Sequence, residues 1–192
     1  MYNNIINHEI ESRITPETTQ ERAIIQHPEW QEGAMWGKPR YGHPEGKILY
    51  HIEEVLQNVE AIQPEAATRQ ALRFITLTHD NFKHKEHRGF PRDWSRHHAI
   101  LARHFSEQFT DNQAILDVIE LHDEAYYIWK MKYRIIRKSA VQQRLDKLLL
   151  RLGNNLQLFY LFFKCDTQTG DKNQKSIEWF EATVKDIDIV VF

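Results

Sequence analysis

The chain has 192 residues, 41% of them hydrophobic, and a formal charge of −2; this suits one domain of the ordinary ~100–200 residues and excludes a disordered polymer. The near-neutral charge argues against a nucleic-acid coat or an acidic tail, and the single cysteine, Cys165, excludes an internal disulfide and a thiolate zinc cluster. The start, MYNNIINHEIESR, lacks the basic flank and apolar centre of a signal peptide, and no apolar run approaches the ~18 residues of a membrane span, so a cytoplasmic protein is expected.

Residues 1–41 read as an irregular lead-in, and the stretch WQEGAMWGKPRYGHPEG is aromatic-rich without clear periodicity. After residue 47 the apolar spacing is helical almost throughout. Ile48, Ile52, Val55, Leu56 and Val59 form a first stripe, and Leu72, Ile75 and Phe82 a second. The polar segment KHKEHRGFPRDWS reads as a long loop, with Ser95 placed to cap the next helix, which carries Leu101, Ala102 and Phe105. Asp111 or Asn112 opens a helix carrying Ile115, Val118 and Ile119. In WKMKYRIIRK five basic residues lie among aromatics. With so little net charge, a solvated helix face that tucks Tyr133 and Ile136 inward is favoured over a nucleic-acid patch. Further helices are expected over 139–152, 155–166 and 174–186, with LFYLFF in the core, while DIDIVVF alternates like a strand without a partner. The expected fold is an all-α, single-domain helical bundle.

The eleven histidines are the compositional oddity. Helix neighbours stand three and four residues apart, which places several polar side chains on apolar stripes. His51 lies three after Ile48 and four before Val55; His79 lies four after Ile75 and three before Phe82. His98 is three before Leu101, His122 is three after Ile119, and Asp166 is three after Phe163. A single histidine so placed is more often a hydrogen-bonded core residue than a ligand. A carboxylate behind phenylalanines is costly to desolvate unless paired, coordinated or at a helix end. Five such placements together describe a site for a divalent transition metal such as Mn, Fe, Zn, Co or Ni, since calcium and magnesium prefer all-oxygen shells.

His51, the His79-Asp80 pair and the distant Asp166 resemble, in order, the ligands of the HD-domain metal-dependent phosphohydrolases. HDNFK resembles the family's His-Asp-x-x-Lys, with Lys83 in the lysine place. HPEGKILYHIEEVL is similar to the His-x-Glu-Gly…His opening of HD domains attached to tRNA nucleotidyltransferases, and KCDTQTGDK resembles the last motif. The resemblance spans about residues 42–172. It implies a bundle of the HD-domain type holding one or two ions. Two-metal members add two histidines, whose places His98 and His122 occupy, and the resemblance gives Asp80 the bridging role. Ala102, four residues after His98, matches the small residue the family carries there and favours His98 over His97. Phe82 departs from the family's glycine, and HDEAYYIW lacks its Gly-Tyr-Pro signature, which points away from tRNA or cyclic-dinucleotide substrates.

The function implied is metal-dependent hydrolysis of a small phosphate ester or nucleotide, with Lys83 and Arg96 holding phosphate oxygens and Asp80 between the ions. Two other readings share the ligand set: a di-iron oxygenase of the HD-domain type, and a non-catalytic metal-binding module. His43 and Glu45 either line the entrance, orient His51 or form a structural turn. Asp123 is either a proton acceptor or an exposed acid. Neither a membrane nor a nucleic acid is an expected partner, and the sequence leaves the oligomeric state open.

Overall fold

The computed structural model describes residues 2–134 and 137–191. Among them the regular structure is entirely α-helical apart from short 3-10 turns and one isolated bridge between Arg40 and His43. No helix among the described residues is long and apolar enough to cross a membrane.

The apolar stripe read from Ile48 to Val59 becomes α4 (Ile48–Ala61), and the second becomes α5 (Ala66–Thr78). All seven residues from Leu72 to Thr78 are buried, so α5 packs against α4 and against four other elements: α2 (Thr19–Gln26), α6 (His98–Ser106), α7 (Gln113–Leu121) and α10 (Leu156–Thr167). Asn112 caps α7 by accepting from the Ala114 and Ile115 amides. The phenylalanines of LFYLFF are buried as expected, and they place α10 against α4, α5 and α7. Outside this inner group, α8 (Glu124–Arg134) packs on α9 (Lys138–Leu152) and α11 (Lys175–Thr183).

The lead-in differs from its expected irregularity. It contains α1 (Tyr2–Glu11), α2 and α3 (Pro28–Ala34). These helices are too short for a clear stripe, but their ends are written in the sequence. Thr18 accepts from the Glu21 amide, and His27 caps α3 with Pro28 at its first position. They also have a structural task. Arg73 on α5 makes a buried two-pronged pair with Glu21, at 2.9 Å for each contact. Trp30 Nε1 donates to the Leu77 carbonyl at 2.6 Å, and Asn81 Nδ2 donates to the Trp30 carbonyl at 2.8 Å. The turn that follows α5 is therefore clamped onto α3.

Other expectations shift locally. His97, not Ser95, caps α6: its Nδ1 accepts from the Ala99 amide at 3.3 Å, while Ser95 sits in the 3-10 turn Trp94–Arg96 and bonds Asp93. Phe82, where a glycine was the family pattern, is buried against Phe105 with ring centroids 5.1 Å apart. The tail after α11 forms no strand among the described residues; Ile187 and Val190 pack on the core instead, and the Val190 amide donates to the Tyr160 hydroxyl at 3.1 Å. Tyr133 is 66% exposed rather than tucked inward, because that edge of α8 has no helix across from it. Ile136 lies outside the described residues.

A Cβ added at Gly33 would fall 1.9 Å from the Asn81 carbonyl oxygen. Gly33→Ala is expected to lower stability by about 1–3 kcal/mol through overpacking against backbone. Urea melts should show it, and metal content should fall with it, because the displaced turn carries His79 and Asp80.

Candidate metal centre

Five helices bring their polar residues to one point. Asp80 lies there, 3% exposed, directly after α5. Its Oδ2 stands 3.7 Å from His51 Nε2 and 3.5 Å from His79 Nε2. Its Oδ1 stands 3.4 Å from both His98 Nε2 and His122 Nε2. Asp166, in the last turn of α10, completes the first side, with Oδ1 at 2.9 Å from His51 Nε2 and 3.7 Å from His79 Nε2. The two imidazole pairs are themselves close: His51 and His79 Nε2 are 3.3 Å apart, as are those of His98 and His122. Donor atoms held at ~2.0–2.2 Å from one ion stand roughly 3–3.6 Å from each other, so each half is dimensioned for a metal. All six residues expected at the centre meet there, and the groups His51, His79, Asp80 and Asp80, His98, His122 could each hold an ion.

The far nitrogens of the rings explain their aim. His79 is the residue at which α5 ends, and its Nδ1 donates to the Thr76 carbonyl at 3.0 Å. His122 ends α7 in the same way, with Nδ1 donating to the Ile119 carbonyl at 2.8 Å. Each ring thus serves a carbonyl left over at its own helix end, and the same bond fixes the Nε2 lone pair inward. His51 Nδ1 faces Glu45 Oε1 at 3.7 Å, and Glu45 is also bonded by His43 Nδ1 at 2.9 Å. His98 Nδ1 faces Glu86 Oε1 at 3.5 Å. Helix-end carbonyls and carboxylates behind imidazoles are the partners that metal-binding histidines take.

One orphaned atom tests the fit of a metal. Asp80 Oδ1 is buried and accepts no hydrogen bond. An unpartnered buried carboxylate oxygen between two imidazole nitrogens requires a cation or a proton. Burial raises the Asp80 carboxyl, but Lys83 and His79 beside it hold it well below the usual carboxylate range. The oxygen is therefore charged, and a divalent ion fits the donor set.

Charge is arranged around this acid. Burial alone would lower His79, yet Asp80 and Asp166 push it up to about 9; His98, against burial, is pushed up to about 10 by Asp123, Asp80 and Glu86. Burial, reinforced by the charge of Lys172, drives His51 down to about 4. Lys83 Nζ donates to Asp80 Oδ2, and Lys172 Nζ donates to Asp166 Oδ1 at 2.9 Å. A cavity of about 470 Å³ opens onto Asp80, His122 and Asp166, with Lys83, Lys172 and Arg40 in its wall.

Arg96 is not brought to this site: it is exposed on the 3-10 turn and is not among the residues that line the cavity at Asp80. His97 stands off the centre. With Nδ1 accepting at the α6 cap, its Nε2 carries the proton and lies 3.2 Å from the Tyr127 hydroxyl, which in turn donates to Asp123 Oδ2 at 3.2 Å. Asp123 Oδ2 is 3.3 Å from His98 Nε2. Asp123, Glu86 and Lys172 belong to the site, and Glu86 and Lys172 have no apolar stripe that would give them away. Asp123 has a signal: it repeats, after α7, the His-Asp step that closes α5.

No protein-family model matches the chain, and no curated protein or solved structure is similar to it. The clustered histidines and aspartates stand on their own geometry.

Two outcomes follow for the metal-free chain. His79 and His98 are raised from about 6.5 unfolded, so their contribution is complete below pH 6.5 and is lost as pH climbs through about 9 and 10. His51 is depressed, so its contribution is present above pH 6.5 and is lost as pH falls through about 4. Thermal melts in chelator should give maximal stability near pH 6.5, and added metal should flatten the alkaline limb. Glu86→Ala should weaken metal affinity about 10–100-fold in a competition titration, and in chelator it should lower the melt near neutral pH, because Glu86 also helps to hold up His98.

Proposed function

We propose that this protein is a metal-dependent phosphohydrolase of the HD-domain type, acting on a phosphate ester in the cavity above Asp80. The observation that carries the reading is the cavity wall: three cations, Arg40, Lys83 and Lys172, line an opening that ends on a histidine–aspartate cluster. Lys83 and Lys172 are paired there with Asp80 and Asp166, and ions taken up by those carboxylates would leave both ammonium groups to a phosphate dianion, a charge for which a neutral substrate would have no use. The order of His51, His79-Asp80, His98, His122 and Asp166 along the chain supports the family resemblance.

His51, His79, Asp80 and Asp166 would hold one ion, and Asp80, His98 and His122 a second. When bound, such ions supply a water of lowered pKa and charge stabilisation at a phosphoryl oxygen. Lys83 and Lys172 lie at the cavity floor, where each ammonium group binds a non-bridging phosphate oxygen as a compact charge. Arg40, at the mouth, draws the anion inward. Burial raises the Asp123 carboxyl, but His122 and His98 hold it below the usual range, so Oδ2 is an ionised acceptor beside the cluster. Tyr127 fixes its direction, and in this reading Asp123 orients the attacking water by accepting its proton at Oδ2. Phe163 and Trp129 supply the apolar part of the wall.

The purified chain, loaded separately with Mn, Fe, Co, Ni or Zn, is expected to release the phenol chromophore from aryl phosphomonoesters, with inorganic phosphate, or from aryl phosphodiesters, with the phosphomonoester. Chelation and Asp80→Asn should each abolish release. Lys172→Ala should raise KM roughly tenfold or more, as loss of a charge-assisted hydrogen bond implies. Oxygen consumption by the iron-loaded chain, with no chromophore released under any metal, would overturn the reading in favour of oxygenase chemistry.

A further inference from the structure

The exposed edge of α8 carries a feature that hydrolysis of a small ester does not use. Tyr126, Trp129 and Tyr133 follow one another along it, with ring centroids 5.7 and 5.3 Å apart. Tyr133 is 66% exposed and Tyr126 37%. Lys130 and Lys132 alternate with the rings, their Nζ atoms 5.4 and 5.8 Å from the Tyr126 and Tyr133 centroids. Tyr126, Trp129, Lys130 and Tyr133, with Lys175 at the start of α11, line a groove of about 430 Å³ in which, among the described residues, no acidic side chain takes part. Trp129 Nε1 is buried and has no hydrogen-bond partner. The groove is continuous with the metal cavity, because Tyr126, Trp129 and Asn173 line both.

We propose that this groove binds single-stranded nucleic acid and leads one of its phosphates into the cavity at Asp80. Rings in series give successive bases a stacking platform that does not depend on sequence. Lysines between the rings meet the phosphates on the same track. A duplex hides its base faces and cannot use the rings. A mononucleotide fills the cavity but leaves Tyr133 uncovered. An aromatic groove also suits a proline-rich peptide, but such a peptide brings no anions for Lys130, Lys132 and Lys175, or for the three cations of the adjoining cavity. The chain's overall charge of −2 does not speak against the feature, because Lys130 and Lys175 make the groove locally positive.

The destination of the phosphate rests on the phosphohydrolase reading, so binding is tested apart from chemistry. Fluorescence anisotropy of labelled ten-nucleotide RNA and DNA strands would be followed on the full chain in excess chelator. One or both strands are expected to bind more tightly than the matching duplex or a mononucleotide, with affinity falling as salt rises. Tyr133→Ala should weaken binding about tenfold, in line with the loss of one stacked base. Lys130→Glu with Lys175→Glu should weaken it further, while Lys185→Ala, away from the groove, should not. No strand binding, equal binding of strand and duplex, or an unchanged affinity for Tyr133→Ala would overturn the proposal and leave ester hydrolysis standing. Strand binding that needs Tyr133 in a chain that hydrolyses no phosphoester under any metal would uphold the groove and overturn the enzyme reading.

Discussion

The structure is organised around a charged carboxylate almost wholly withdrawn from water. Asp80 sits 3% exposed in the middle of a helical bundle, and an ion of that size costs several kcal/mol to desolvate without compensation. Its surroundings provide that compensation with Lys83 on one oxygen and imidazoles in pairs on each side, while the charge of the second acid, Asp166, is offset by Lys172. The helices that carry these groups start, end or cross where the carboxylate lies. Even the N-terminal helices answer to it, since Trp30, Gly33 and Asn81 together fix the turn on which it stands.

The same constraint accounts for the two His-Asp steps. A histidine at a helix C-terminus has a leftover carbonyl of its own helix within reach, and both His79 and His122 use it. The residue that follows leaves the helix and can turn its carboxylate toward the ring it succeeds. Asp80 and Asp123 do this from α5 and α7, which pack directly on each other. Asp123 adds a link outward, through Tyr127 to His97, whose tautomer is set by its role as a helix cap.

Much of this was legible in the sequence because helical spacing turns residue number into direction. His51, His79, His98, His122 and Asp166 could be placed on apolar faces, and all converge. What spacing could not show lies off the stripes. Lys172 and Glu86 reach the site from turns, where no period constrains direction. The N-terminal helices are so short that their caps, Thr18 and His27, carry more signal than their apolar residues. Arg96 was placed by adjacency to His97-His98, but the 3-10 turn directs it to solvent. The small net charge favours a solvated face for α8 with Tyr133 turned inward, but net charge says nothing of where one ring points, and Tyr133 stands 66% exposed.

The bonds from the His79 and His122 rings to their own helix carbonyls also bear on the choice of ion. Ring orientation there is a property of the backbone, settled before any cation arrives. Such a frame would not relax around whichever first-row ion entered it, so an ion with other preferred angles would bind at the cost of its own geometry. Intrinsic affinities otherwise rise from manganese to copper, and a fixed ring geometry is one way in which a site departs from that order.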